Sequence, residues 1–183
     1  MTTTTKPAGL LMTGAIGCFI VAAAFLLQQF MGSGLISGLL IIGGHIVLAL
    51  GWGGWGKVHG GMAKVASIFA WVTGIGMVLA VVLGMAGMFE IALYLGLAAT
   101  ITMGLTALFG GLAFMGSKNA QNAQMAKIGG ILLLIAGIVS VAITLAVFAR
   151  IMLPGITILP YVMLVGGVGG YLLGGVAFLS EKG

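Results

Sequence analysis

The chain has 183 residues, 61% of them hydrophobic and only 5% charged, with 34 glycines and a formal charge of +5. A soluble domain carries roughly 25% charged residues, so this chain has no polar surface for a water-soluble fold to present. Its seven basic residues are scattered singly between apolar stretches, a pattern of topology signals and headgroup contacts and not a nucleic-acid patch.

Six apolar runs follow one another, at about residues 8–30, 35–55, 65–89, 91–115, 128–153 and 158–179. A helix rises about 1.5 Å per residue, so about 20 residues cross the hydrocarbon core of a bilayer. The pattern predicts an all-α polytopic membrane protein: a single transmembrane domain of six helices, paired as three tandem antiparallel hairpins.

The first run follows a segment with one charge, Lys6. It is longer than a signal-peptide core, so it reads as a retained first helix. It contains the only cysteine, Cys18, which excludes an intramolecular disulfide. The second run holds Ile42-Gly43-Gly44-His45 near its midpoint. An ionisable side chain at that depth is costly and is expected to face protein or a bound group. Three roles compete for His45: a hydrogen bond to a neighbouring helix, a place on a proton or solute pathway, and an axial ligand to a haem or chlorophyll-type macrocycle. The two glycines would leave space for a flat ring, and equally for a helix. Trp52 and Trp55 close this run and are expected among the headgroups. His59, in Lys57-Val58-His59-Gly60-Gly61, reads as a solvated loop residue. It lies too far along the chain to share one iron with His45.

Between the third and fourth runs the only break is Glu90, and between the fifth and sixth it is Pro154-Gly155-Ile156-Thr157. Breaks this short, like Met31 to Gly34 between the first two, require tight hairpins. Glu90 and Arg150, at the ends of their helices, are expected to form an ion pair. Lys6, Lys57, Lys64, Lys118, Lys127 and Lys182 all fall at one end of the predicted bundle, against Arg150 at the other. By the positive-inside bias, both termini are cytoplasmic. The expected location is the cytoplasmic membrane of a bacterium or archaeon.

Two further patterns concern packing. Gly110-Gly-Leu-Ala-Phe114 resembles Gly174-Gly-Val-Ala-Phe178, and Met62-Ala-Lys64 resembles Met125-Ala-Lys127, so the hairpins read as copies of one unit in parallel. Small residues recur four apart as Gly9, Thr13 and Gly17, as Gly76, Ala80 and Gly84, as Gly96, Thr100 and Gly104, and as Gly166, Gly170 and Gly174. Such spacing lines one helical face and lets a neighbouring backbone approach closely.

Absences narrow the function. There is no aspartate, no clustered Cys/His spacing, and no serine, histidine and carboxylate that could meet at one depth, so no enzyme is expected. The mid-helix carboxylate of rotor-ring proteolipids, the acidic and basic signatures of mitochondrial carriers and the Asn-Pro-Ala loops of aquaporins are all missing. The leading expectation is a structural or accessory subunit that packs into a larger or self-assembled membrane complex. Its partners would be lipid and either further copies or other membrane subunits, with no nucleic acid and no cofactor named. The alternative is a channel or secondary transporter for a small uncharged solute. A lesser one is a pigment- or haem-binding subunit with His45 as the cofactor-binding residue.

Overall fold

The computed structural model describes residues 8–31, 34–117, 120, 122–150 and 159–181. Lys6, Lys118 and Lys182, the link Pro154 to Thr157, and the expected helix ends at 151–153 and 158 lie outside them. Six helices form: α1 (Ala8–Met31), α2 (Leu35–His59), α3 (Met62–Met85), α4 (Phe89–Gly116), α5 (Ala123–Phe148) and α6 (Leu159–Glu181). Each is long and apolar enough to cross a membrane, and the chain is a polytopic membrane protein of three tandem hairpins. Lipid offers the backbone no outside hydrogen-bond partner, so even these glycine-rich stretches stay helical.

Helix ends follow turn chemistry more than hydropathy. The third helix stops at Met85 and not at residue 89, because Gly87 adopts φ +81 and the Met88 amide donates to the Leu83 carbonyl at 2.9 Å. This is a Schellman-type stop. Glu90 therefore lies in the first turn of α4 and is no longer the break. The second helix continues past Trp55 to His59 and ends on Gly60 and Gly61, both at positive φ. The fifth ends at Phe148, two residues before Arg150 at φ 54.

Each helix packs on its neighbours in sequence, and α6 closes back on α1. Each odd helix is thus wedged between two even ones, while α2 and α4, and α4 and α6, also touch directly. Close approach sets the register. Gly104 faces Gly137 and Gly111 faces Gly130 across α4 and α5; a methyl group added at Gly137 would lie 2.6 Å from the Gly104 carbonyl oxygen, and one at Gly111 2.5 Å from that of Gly130. In α1 and α2, Gly14 meets Gly51 backbone to backbone.

The small-residue stripes divide unequally. A methyl group at Gly170 would meet the Leu133 backbone nitrogen at 2.9 Å, one at Gly166 the Leu132 carbonyl at 3.1 Å, and one at Gly174 the Phe114 ring at 2.7 Å. Among the described residues Gly76 and Gly84 face only Ala99 and Ala92, Ala80 borders an open groove, and Gly9 and Gly96 have nothing within 4 Å.

At the end that carries Lys57, Lys64 and Lys127, hereafter the lysine end, the bundle is filled by aromatic rings. Trp52 and Trp55 are 0% exposed, which corrects their expected place among headgroups. Their rings stand 4.7 and 5.0 Å from Phe114 and 5.2 and 5.0 Å from Phe178. Glycine makes the room: Trp52 lies over Gly110, Phe114 over Gly174 and Phe178 over Gly14. Each contact is an aromatic ring from one even helix on a glycine of another helix, and the motif shared by Phe114 and Phe178 is the repeat visible in sequence. Rings of this size bury about 150 to 250 Å² each and dominate the packing of a core.

Two charge expectations change. His59 is no solvated loop residue: it ends α2 with its side chain 8% exposed and its Nε2 3.6 Å from Glu181 Oε1, across to the end of α6. Glu90 and Arg150 are both exposed, and among the described residues no ion pair joins them. An exposed pair would add little to stability.

Candidate functional site

The interior midway along the bundle is apolar except for a few polar side chains, and most of these hydroxyls are accounted for by their own helix. Thr73 donates to the Phe69 carbonyl at 2.8 Å, Thr106 to the Thr102 carbonyl at 2.9 Å and Thr144 to the Ser140 carbonyl at 2.9 Å. Bonds to the preceding turn are the ordinary solution for Ser and Thr in a membrane helix.

Three buried polar groups near this depth are not accounted for. His45, 0% exposed, lies 2.8 Å through Nδ1 from the Ile41 carbonyl one turn back. A carbonyl only accepts, so Nδ1 carries the proton, and in the neutral ring Nε2 is a bare acceptor. That Nε2 has no hydrogen-bond partner among the described residues, and neither do Tyr171 Oη or Ser140 Oγ. The rings of His45 and Tyr171 meet edge-on at 6.5 Å. A buried polar atom left without a partner costs about 1 to 3 kcal/mol.

Two of the three share a cavity. Ser140 of α5 and Tyr171 of α6 line a space of about 20 Å³ with Gly104, Ala136 and Gly167. Gly104 lies close against Ser140: a methyl group there would stand 3.1 Å from Ser140 Oγ. Phe25 and Met163 complete the wall, and the same two side chains line a second cavity of about 270 Å³ toward the opposite end. The second cavity holds Gln28 and Gln29, which add neutral donors and acceptors. Toward the lysine end the interior is closed by the Trp52, Trp55, Phe114 and Phe178 cluster. Among the described residues, neither cavity has a charged side chain in its wall.

His45, singled out from the sequence, is fully buried and takes its one observed hydrogen bond within its own helix, not from a neighbour. Its two glycines do not flank a slot. Gly44 is pressed against Ile20 and Val21 of α1, whereas Gly43 has nothing within 4 Å. Tyr171 and Ser140 were not singled out. The available signal for Tyr171 was a phenol set among Gly170, Gly174 and Gly175 deep in an apolar run. For Ser140 there was none. Among the described residues no three His, Cys, Asp or Glu side chains gather as they would around a metal ion. Comparison with protein-family models, with curated proteins and with solved structures gives no match.

Proposed function

We propose that this protein carries a small uncharged solute across the membrane, as a channel or secondary transporter whose path runs through the interior between α1, α4, α5 and α6. The observation that carries this reading is a cavity midway along the bundle lined in part by Ser140 and Tyr171, two buried residues whose hydroxyls have no hydrogen-bond partner among the described residues. Hydroxyls kept there at a cost in stability are suited to a passing ligand that pairs with them for a time. The larger cavity with Gln28 and Gln29 serves as the approach. Its uncharged walls favour a neutral solute, since an ion would need buried charge or many dipoles near the midplane. The aromatic cluster closes the path at the lysine end, so passage requires those rings to part. We place the lysine end in the cytoplasm from the positive-inside bias. Catalysis has no part in this reading. Flux of neutral solutes into proteoliposomes tests it: the protein should exceed empty vesicles, and Gly167→Val, which fills the partition near Phe25, should return flux to the background.

A second reading, a structural or accessory subunit of a larger or self-assembled membrane complex, is favoured by a different surface. Gly38, Gly43 and Gly96 adjoin no other described residue within 4 Å, and Gly38 and Gly96 border a groove of about 370 Å³ between α2, α3 and α4. Small residues on such a face admit a neighbouring helix. The oligomeric mass in mild detergent, compared between the parent and Gly96→Leu, separates the two readings. A larger assembly that Gly96→Leu breaks down to a monomer supports the second.

A further inference from the structure

We infer that His59 and Glu181 form a pH-sensitive latch on the lysine end of the bundle, closed when the histidine is charged and released when it is neutral. Geometry is the first argument. His59 is the last residue of α2 and Glu181 the last of α6, and their side chains, 8% and 3% exposed, bring Nε2 to 3.6 Å from Oε1. Trp55 lies four residues before His59 and Phe178 three before Glu181, about one helical turn in each case. The rings of Trp55 and Phe178 meet at 5.0 Å, and the His59 ring lies 4.6 Å from that of Trp55. The same two helices are therefore tied twice at this end, by the rings and, one turn further out, by the pair. Both α2 and α6 pack along α1, so a swing of either on α1 that parts the rings must also break the pair.

Chemistry is the second argument. A carboxylate taken out of water is costly unless a positive group faces it, and Glu181 is buried. The other charged side chains described at this end are Lys57, Lys64 and Lys127, and all three are exposed. The stem of Lys64 lies over Gly56 in the last turn of α2, while Lys6, Lys118 and Lys182 lie outside the described residues. Histidine is the side chain whose charge changes near neutral pH, at about 6.5 when unperturbed. With the imidazole protonated, opposite charges meet in a place nearly closed to water, where salt screens them little. With the imidazole neutral, the carboxylate faces an uncharged ring and gains by turning out to water, which parts α6 from α2. The latch thus tightens as pH falls through the histidine range and loosens as it rises. With the lysine end in the cytoplasm, acidification there keeps the bundle shut.

The latch goes beyond the transport reading and is tested without it. Cys18, the only thiol, is 0% exposed and lies inward of the rings, its Sγ 3.6 Å from where a methyl group on Gly174 would stand. The full chain is reconstituted in bilayers, and a membrane-impermeant methanethiosulfonate reagent is supplied on the lysine side at about pH 5.5 and about pH 8, either side of the histidine range. Each rate is divided by that of Glu181→Gln at the same pH, which cancels the thiol's own ionisation. At the lower pH the parent should react about tenfold more slowly than Glu181→Gln, an effect between those of an exposed and a buried pair. At the higher pH the two should agree within about twofold, because the parent's pair has then lost its charge. His59→Lys, which carries its charge at both, should react slowly at both. From the opposite side all three proteins should react alike. Equal rates for the parent and Glu181→Gln at the lower pH would overturn the latch. A gap of the same size at both pH values would overturn it too, as would faster reaction of Glu181→Gln from both sides, the mark of a general loosening.

Discussion

Trp55 donates its indole N–H to Ser117 Oγ at 2.9 Å, joining the end of α2 to the residue just after α4 across 62 positions of sequence. Ser117 passes the bond on, donating to the Ala113 carbonyl at 2.6 Å. Both side chains are buried, and the His59 ring lies tilted against Trp55 with ring centroids 4.6 Å apart. The lysine end is thus held by a polar seam laid over an aromatic core.

Cutting that seam should be measurable. Ser117→Ala strands the buried Trp55 N–H and is expected to lower stability by about 1 to 3 kcal/mol, the cost of a buried donor left without its acceptor. Unfolding in mixed detergent micelles reads it. A loss several times larger would mean that Ser117 also shapes the chain between α4 and α5.

Gly170→Leu should be far more damaging than Gly96→Leu. The first drives a side chain into the Leu133 backbone and splits α5 from α6, with a cost of about 1 to 3 kcal/mol or more. The second enters open space, and its effect on the stability of the single chain should be close to nil. Thermal melting of both variants decides the matter, and equal melting temperatures would mean that α5 and α6 are not in register as described.

His45→Ala should cost about 2 to 3 kcal/mol, chiefly as the void left by a fully buried side chain, because the bond it loses runs within its own helix. The visible spectrum is expected to be the same in parent and variant. A coloured parent that bleaches on substitution would instead assign His45 as an axial ligand.

Sidedness is checked with single cysteines. Met88→Cys, in the turn between α3 and α4, should be labelled only from outside, and Gln124→Cys, at the start of α5, only from the cytoplasm; both positions are exposed. The native Cys18 is buried and gives little background. Labelling of Met88→Cys from the cytoplasm would invert the orientation.

The six helices and their pairing were legible in sequence because lipid leaves few alternatives, and runs of this length and apolarity have one use. Facing was not. These helices are apolar all round, so no periodicity shows which side is buried. Trp52 and Trp55 illustrate the point: their place near the end of a run suggested headgroups, while the deciding fact was glycine at 14, 110 and 174, on three other helices, leaving the middle of the bundle open to rings. The His59–Glu181 pair joins the end of the second helix to the end of the sixth, and no local pattern announces it. His45 was found because it is ionisable. Ser140 was missed because a hydroxyl in a membrane helix ordinarily bonds back to its own turn, and only the packed structure shows that this one does not.

Closure of the ring by α6 on α1 has a consequence for biosynthesis. Chains are made from the N-terminus, and helices enter the bilayer in that order. Until the last hairpin arrives, Gly14, Phe19 and Phe25 of α1 have no α6 to rest on, and the Trp52 and Phe114 rings lack Phe178. Met163, Gly167 and Tyr171 also come with α6, so the cavity acquires that wall only with the final insertion. A nascent chain stalled after α5 would lack the assembled site and would show lipids, or a quality-control protease, a seam that the finished protein hides.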